Sequence, residues 1–207
     1  MQKILSLVLV VAICFAFLSG CKTEMQNENV IHPLPETIDI NALKDCTVAV
    51  AIEKGDVYVA DGKIMLNAAV FTYDLYDMVD IASLEENDVI VRKNEEIRIE
   101  KIERLESGLV RINGGEENGG FDLISNDSTV YYETGMGDVK AYYELGEVKL
   151  PVSEKFEYVD ESDLDTEPKY YTVEELMSEV EYNFIPNNTS IVIENGTVIK
   201  MNKVYMP

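Results

Sequence analysis

The chain has 207 residues, with 39 Asp or Glu against 17 Lys or Arg, and its formal net charge is −22 at pH 7. A surface this acidic repels phosphate backbones and anionic lipid headgroups. We therefore expect no nucleic-acid partner. With one histidine and three cysteines, the chain has too few of these residues to favour histidine-based catalysis, thiolate clusters or a zinc site. We expect no cofactor.

The N-terminus has the layout of a secretory signal. Lys3 precedes the apolar run Ile4–Phe17, and Leu18-Ser19-Gly20-Cys21 follows it. The apolar stretch is shorter than the roughly 20 residues that a membrane-spanning helix needs. The last four residues resemble the lipobox of bacterial lipoproteins, in which a large aliphatic residue and two small residues precede a cysteine.

The resemblance implies that residues 1–20 are a signal peptide, read by its peptidase at Leu18, Ser19 and Gly20. It also implies that Cys21 is acylated and becomes the first residue of the mature protein. Two acyl chains anchor a protein stably, at about 0.8 kcal/mol per buried CH₂. We therefore expect an extracytoplasmic protein held by lipid on the outer face of a bacterial membrane.

Three regions are predicted in all. Residues 21–37 are polar, contain Pro33 and Pro35 and lack periodicity, which predicts a flexible tether with a reach on the order of 20–25 Å. His32 falls in this tether, where it lacks the fixed position that a catalytic imidazole requires. Residues 38–207 are predicted to form one β-rich globular domain, with a weak acidic seam at 159–169.

From Ala42 onward the sequence alternates with period two between regularly spaced turns, which predicts a sheet-based domain. Asp74–Leu84 is less regular and is predicted to hold one helical turn. The predicted strands are Cys46–Glu53, Asp56–Ala60, Lys63–Tyr73, Val89–Arg92, Ile97–Arg104, Leu109–Asn113, Gly120–Ser125, Thr129–Glu133, Val139–Leu145 and Glu147–Leu150.

The spacing of hydrophobic residues along the chain changes in the C-terminal part. Thr172 and Glu175 have the spacing of a capping box, which predicts a short helix. Asn195-Gly196 between Thr189–Glu194 and Thr197–Tyr205 predicts a closing hairpin. The expected fold is therefore mainly β, a sandwich or small barrels, with a short C-terminal helix and a closing hairpin; an α+β fold is the alternative.

Paired tyrosines suggest a ligand face. Tyr131-Tyr132 and Tyr142-Tyr143 lie in predicted strands, where one ring of each pair points inward and the other outward. Outward rings beside Glu133 and Glu144 would form an amphipathic surface for a cationic or sugar-like ligand. The alternative is ordinary strand composition, since tyrosine favours half-buried sheets.

Other candidate sites are weaker. Residues 160–167 are rich in acids but lack the turn glycine of a calcium loop, which favours a solvated connector. The glycines of 114–120 precede neither a lysine nor a helix, so a mobile hairpin loop is expected rather than a phosphate site. Cys46 shares a strand face with Val48 and is expected to be a buried, inert thiol.

Two classes of function stay open. The first is a non-catalytic module that binds a protein, peptide or small ligand, or an accessory subunit of an envelope complex. The second is a carboxylate-based hydrolase of envelope or extracellular polymers, which needs two facing acids, one with a raised pKa. We expect the binding module, because the predicted globular part contains no histidine and has a single cysteine.

Overall fold

The computed structural model describes residues 29–35, 38–125, 129–135, 139–178 and 180–206. The predicted signal peptide and the lipidation site at Cys21 lie outside the described residues. Strands dominate the described chain and its helices are short, which confirms the predicted mainly β fold. No helix in the described ranges has the length and apolar character that a membrane span requires.

Strands and short helices follow one another along the chain. They are β1 (Val30–Ile31), β2 (Cys46–Ala51), β3 (Val57–Ala60), β4 (Lys63–Thr72), β5 (Leu75–Asp77), α1 (Met78–Ser83), β6 (Val89–Arg92), β7 (Glu95–Arg98), β8 (Ile102–Arg104), β9 (Val110–Ile112), β10 (Phe121–Ile124), β11 (Val130–Thr134), β12 (Tyr143–Glu161), β13 (Lys169–Tyr171), α2 (Val173–Ser178), β14 (Thr189–Glu194) and β15 (Thr197–Val204).

Strands β2, β4, β12, β14 and β15 close into a barrel. The 19-residue β12 pairs antiparallel with β4 along its first part and parallel with β15 along its second part. The ring is completed by the pairs β15–β14, β14–β2 and β2–β4. A register shift between Glu144 and Gly146, where the φ of Gly146 is 142°, marks a bulge in the part of β12 that pairs with β4. A second irregularity, between Val152 and Glu157, lies where β12 begins to pair with β15.

The strand order of the barrel follows a known pattern. Around the ring, the strands come first, second, third, fifth and fourth in chain order, and the third and fifth are parallel. Helix α2 lies between the third and the fourth. This is the topology of an OB-type barrel, and topology alone does not carry a function.

A second lobe is inserted between β4 and β12, and we call residues 73–142 the inserted lobe. Its larger sheet has the antiparallel order β5-β11-β10-β9-β8, and β6 and β7 form a hairpin beside it. The two lobes have separate cores. Val50, Val70 and Ile193 are fully buried in the barrel, whereas Tyr76 and Ile112 are fully buried in the inserted lobe.

The N-terminal described segment, residues 29–35 and 38–43, connects the two lobes, and we call it the strap. β1 pairs in parallel with β6 of the inserted lobe, and Leu34 N donates to Leu75 O at 2.6 Å. Ile40 then packs against the barrel core. The predicted flexible tether is therefore wrong for residues 29–35, because Ile31 is apolar enough to be buried in the inserted lobe.

The C-terminal predictions are confirmed. Glu175 N donates to Thr172 Oγ1 at 3.3 Å and Thr172 N donates to Glu175 Oε2 at 2.7 Å, which is the reciprocal capping box that starts α2. β14 and β15 form the closing hairpin, and both Asn195 (φ 49°) and Gly196 (φ 75°) adopt the left-handed conformation its turn needs.

Two boundary predictions need correction. Residues 159–169 are not a seam, because the strands on either side pair with each other, Val159 opposite Tyr170. The predicted strands Val139–Leu145 and Glu147–Leu150 belong to a region where a single strand, β12, starts at Tyr143 and continues to Glu161. A bulge interrupts the alternation without ending the strand, which is why the sequence pattern broke at Gly146.

Candidate functional site

A cleft of about 690 Å³ lies between the barrel, the inserted lobe and the strap. Alternation along the barrel strands sets one wall: Val48 and Val70 point into the core, so Thr47 and Phe71 point outward into the cleft. Its volume falls in the range of roughly 300–1,000 Å³ found for small-molecule sites, which often form between domains.

Asp74 lies at the point where the chain leaves β4 for the inserted lobe, and it lines the cleft although only 8% exposed. Its Oδ2 accepts a hydrogen bond from Lys93 N at 2.7 Å, and its Oδ1 accepts one from the Tyr143 hydroxyl at 3.0 Å. Both carboxylate oxygens thus have a donor, and the side chain is fixed in place.

The Tyr76 hydroxyl is close to two acceptors, Val91 O at 2.9 Å and Asp74 Oδ2 at 3.4 Å. A phenol has one proton to donate, and the shorter distance assigns it to Val91 O. Burial, followed by the charge of Asp74, raises the pKa of Tyr76 far above its ordinary value. Tyr76 is therefore a neutral, fixed part of the cleft's support.

An ion cluster lies behind Asp74. Arg92 Nε and Nη2 each donate to Glu133 at 2.6 Å, and Lys93 Nζ approaches the same carboxylate at 3.4 Å. The hydrogen bond that Arg92 donates to Glu133 raises the pKa of Arg92. Together with Asp74, the cluster has two positive and two negative groups, so it adds no net charge to the site.

Lys140 is held in an aromatic cluster next to the cleft. Its Nζ donates to the Tyr73 hydroxyl at 2.7 Å and lies 5.5 Å from the centroid of the Tyr132 ring. The Tyr73 and Tyr142 rings meet edge to face with centroids 5.1 Å apart. The ammonium group is thus in contact with tyrosines, an arrangement that favours cation–π attraction. Lys140 is not part of the cleft lining.

The predicted tyrosine face is only half of the observed site. Tyr142 and Tyr143 line the cleft, and Tyr131 and Tyr132 do not. Tyr132 is buried beneath the Tyr73 ring, and Tyr131 packs against the core of the inserted lobe.

The acids expected beside these rings also differ from one another. Glu133 is not an outward acid, because it is buried in the ion pair with Arg92, and Glu144 is exposed. A pair of neighbouring residues cannot reveal which ring faces a second lobe, and this is why the prediction was partial.

The predicted placement of His32 in a free tether is wrong. The strap is held on the inserted lobe, so His32 is an exposed residue on the edge of the cleft rather than part of a free tether. Pairing of β1 with β6 thus gives His32 a fixed position, contrary to the expectation. Asp74, Thr47, Asn94 and Ser190 were not predicted as site residues, since no local motif marks them.

The weaker candidates have structural roles. Burial would raise the pKa of Asp160, but hydrogen bonds from Ser162 and Tyr158 outweigh it and lower that pKa. The glycine loop contains a short 3₁₀ turn at Glu116–Asn118. Cys46 is half-buried rather than buried, because it is the first residue of β2.

Within the described ranges, no cluster of three His, Cys, Asp or Glu could hold a metal ion.

The buried tyrosines predict a loss of stability at alkaline pH. Burial, and then the charge of Tyr73, raise the pKa of Tyr142 to about 12, and burial raises those of Tyr76 and Tyr158 further. Since an unfolded tyrosine ionises near pH 10, stability is complete below that pH and falls as pH rises above it. Absorbance titration should show exposed tyrosines ionising first; simultaneous ionisation of all tyrosines in the folded protein would contradict this.

Comparison with known proteins adds no assignment: no family model, no curated protein and no solved structure matches the chain.

Proposed function

We propose that the protein is an exported, lipid-anchored binding protein of the bacterial cell envelope, and that its ligand site is the cleft between the lobes. One observation carries the proposal: a cleft of about 690 Å³ is lined by aromatic rings, amides and hydroxyls that two lobes and the strap supply together. A preformed cavity with a few fixed polar groups is typical of ligand sites. The anchored location rests on the sequence around Cys21.

The alternative, a carboxylate-based hydrolase, has less support. Such an enzyme needs two carboxylates facing the bond that is cleaved. Among the described residues of the cleft lining, Asp74 is the one carboxylate, and donors already occupy both of its oxygens. A fixed acceptor of this kind suits orientation of a ligand better than proton transfer to it.

Blocking the cleft tests the proposal. Mature lipidated protein in phosphatidylcholine nanodiscs is screened by ligand-observed NMR against four chemical classes, represented by N,N′-diacetylchitobiose, glycerol phosphate, tetraalanine and spermidine. We expect one class to bind, and Ser190→Trp to abolish its signal, because Ser190 lines the cleft and an indole would fill it.

Glu194→Trp is the matched control, since Glu194 is an exposed residue at the end of β14 and does not line the cleft. It should keep the binding signal, and circular dichroism should show both variants folded. Binding that survives Ser190→Trp, or no binding by any of the four classes, would contradict the proposed function.

A further inference from the structure

The chemical class of the ligand follows from how the polar groups of the cleft are used, given the proposed function. Four of its residues, Thr47, Asn94, Tyr142 and Ser190, donate no side-chain hydrogen bond within the described chain, although each lines the cleft. Unused donors and acceptors in a cavity are available to a ligand, and leaving them unpaired when a ligand excludes water costs free energy.

Charge argues against an ionic ligand. No Lys or Arg belongs to the described lining, and the net charge of −22 repels anions. The cations nearby are already bound, Arg92 and Lys93 to Glu133 and Lys140 to Tyr73. A cationic ligand would have to compete for the oxygens of Asp74 with Lys93 N and the Tyr143 hydroxyl.

Backbone pairing argues against an extended peptide. A peptide that adds a strand needs an open sheet edge. The free edge of β5 is covered by the strap, where Leu34 N donates to Leu75 O at 2.6 Å. β2, β4 and β14, which form the barrel wall, each have a strand neighbour on both sides. The cleft therefore suits a compact ligand.

Apolar surface completes the lining. Phe71 and Tyr142 contribute rings, and the strap contributes Leu34 between two prolines. An aromatic ring packs well on the C–H face of a sugar ring, while its hydroxyl or a neighbouring amide reaches the sugar's oxygens. The ligand that fits this lining is uncharged, compact, rich in hydroxyl groups and apolar on one face. A short saccharide has these properties.

From this combination we propose that the cleft binds an uncharged oligosaccharide. Thr47, Asn94 and Ser190 donate to its hydroxyl or acetamido oxygens, while Asp74 stays paired with Lys93 N and the Tyr143 hydroxyl. The inference rests on the proposed function, since it names the ligand class of the same cleft.

Asn94→Gly tests the inference without disturbing the turn. Asn94 has φ 66° between β6 and β7, a conformation that glycine adopts freely, so the change removes the side chain without straining the turn. Asn195→Gly is the matched control, because Asn195 has φ 49° in the β14–β15 turn and is not part of the cleft lining.

Saturation-transfer NMR with N,N′-diacetylchitobiose, maltose and cellobiose on the nanodisc-anchored protein gives the affinities. We expect a neutral disaccharide to bind, Asn94→Gly and Thr47→Val each to weaken it by about 2- to 10-fold, as one lost hydrogen bond predicts, and Asn195→Gly to leave it unchanged.

The outcomes separate the two proposals. If glycerol phosphate, tetraalanine or spermidine binds in a manner that Ser190→Trp abolishes, and the disaccharides do not bind, the saccharide inference is overturned and the cleft remains the ligand site. If disaccharides bind equally well to Asn94→Gly, Thr47→Val and Ser190→Trp variants, they bind elsewhere, and both proposals fail.

Discussion

Replacing Glu133 by alanine is expected to destabilise the inserted lobe by about 2 kcal/mol, between the small contribution of exposed ion pairs and the larger cost of breaking a fully buried one. The Glu133 side chain is 9% exposed, whereas those of Arg92 and Lys93 are 29% and 31% exposed and can be partly solvated once it is removed. Glu133 accepts two hydrogen bonds of 2.6 Å from Arg92. Its removal leaves the guanidinium and the Lys93 ammonium without their anion. Urea denaturation, followed by circular dichroism, measures the loss in the free energy of unfolding.

Glu103→Ala is the matched control for this prediction. Lys101 and Glu103 form an ion pair of the same 2.6 Å length, but both side chains are well exposed. Solvent screens such a pair, so Glu103→Ala should lower the free energy of unfolding far less than Glu133→Ala does. Equal destabilisation by the two alanine variants would show that burial does not decide the strength of the Arg92–Glu133 pair.

Replacing Cys21 by alanine is expected to abolish lipid attachment completely. The Cys21 sulfur is the atom that the lipobox resemblance assigns to acylation, and without it the lipoprotein peptidase has no modified substrate. Metabolic labelling with a radioactive fatty acid, followed by membrane fractionation, should show no lipid on the variant and an uncleaved leader.

Cys14→Ala and Cys46→Ala are the matched controls for the anchor. Cys14 lies in the predicted leader and Cys46 in β2, so neither change should affect labelling. Normal labelling of the Cys21→Ala variant, or its loss in a Cys46→Ala variant, would contradict the anchoring proposal.

Local elements were predictable because their chemistry is local. Asn195-Gly196 requires a left-handed turn, and Thr172 with Glu175 satisfies the first backbone N–H groups of a helix, whatever surrounds them. The strand Val89–Arg92 follows from its run of three β-branched residues, and the structure reproduces that range. These features need no knowledge of distant partners.

The closure of the barrel was not predictable in the same way. It depends on β12 pairing with β4 along one part and with β15 along the other, contacts that join residues far apart in sequence. The inserted lobe was also missed. Its strands have the same alternation as the barrel strands, so composition does not mark the boundary at Asp74.

The candidate site was only partly predictable for the same reason, since it is formed by residues far apart in sequence. Tyr142 and Tyr143 were predicted because paired rings stand out in a sequence, yet the same reasoning chose Tyr131 and Tyr132, which pack elsewhere. Asp74 is one of 39 acids, and only the junction of the lobes distinguishes it. His32 was excluded because polar residues with prolines predict a tether, whereas Ile31 holds the strap on the inserted lobe.

The most direct test of the cleft as the ligand site is NMR of the protein carrying isotope-labelled tyrosine, assigned by single Tyr→Phe changes. The labelled protein is titrated in turn with N,N′-diacetylchitobiose, glycerol phosphate, tetraalanine and spermidine. We expect the binding compound to shift the signals of Tyr142 and Tyr143 and to leave those of Tyr170 and Tyr205, which are exposed outside the cleft, unchanged. Shifts at Tyr170 or Tyr205, with Tyr142 and Tyr143 unaffected, would contradict this expectation.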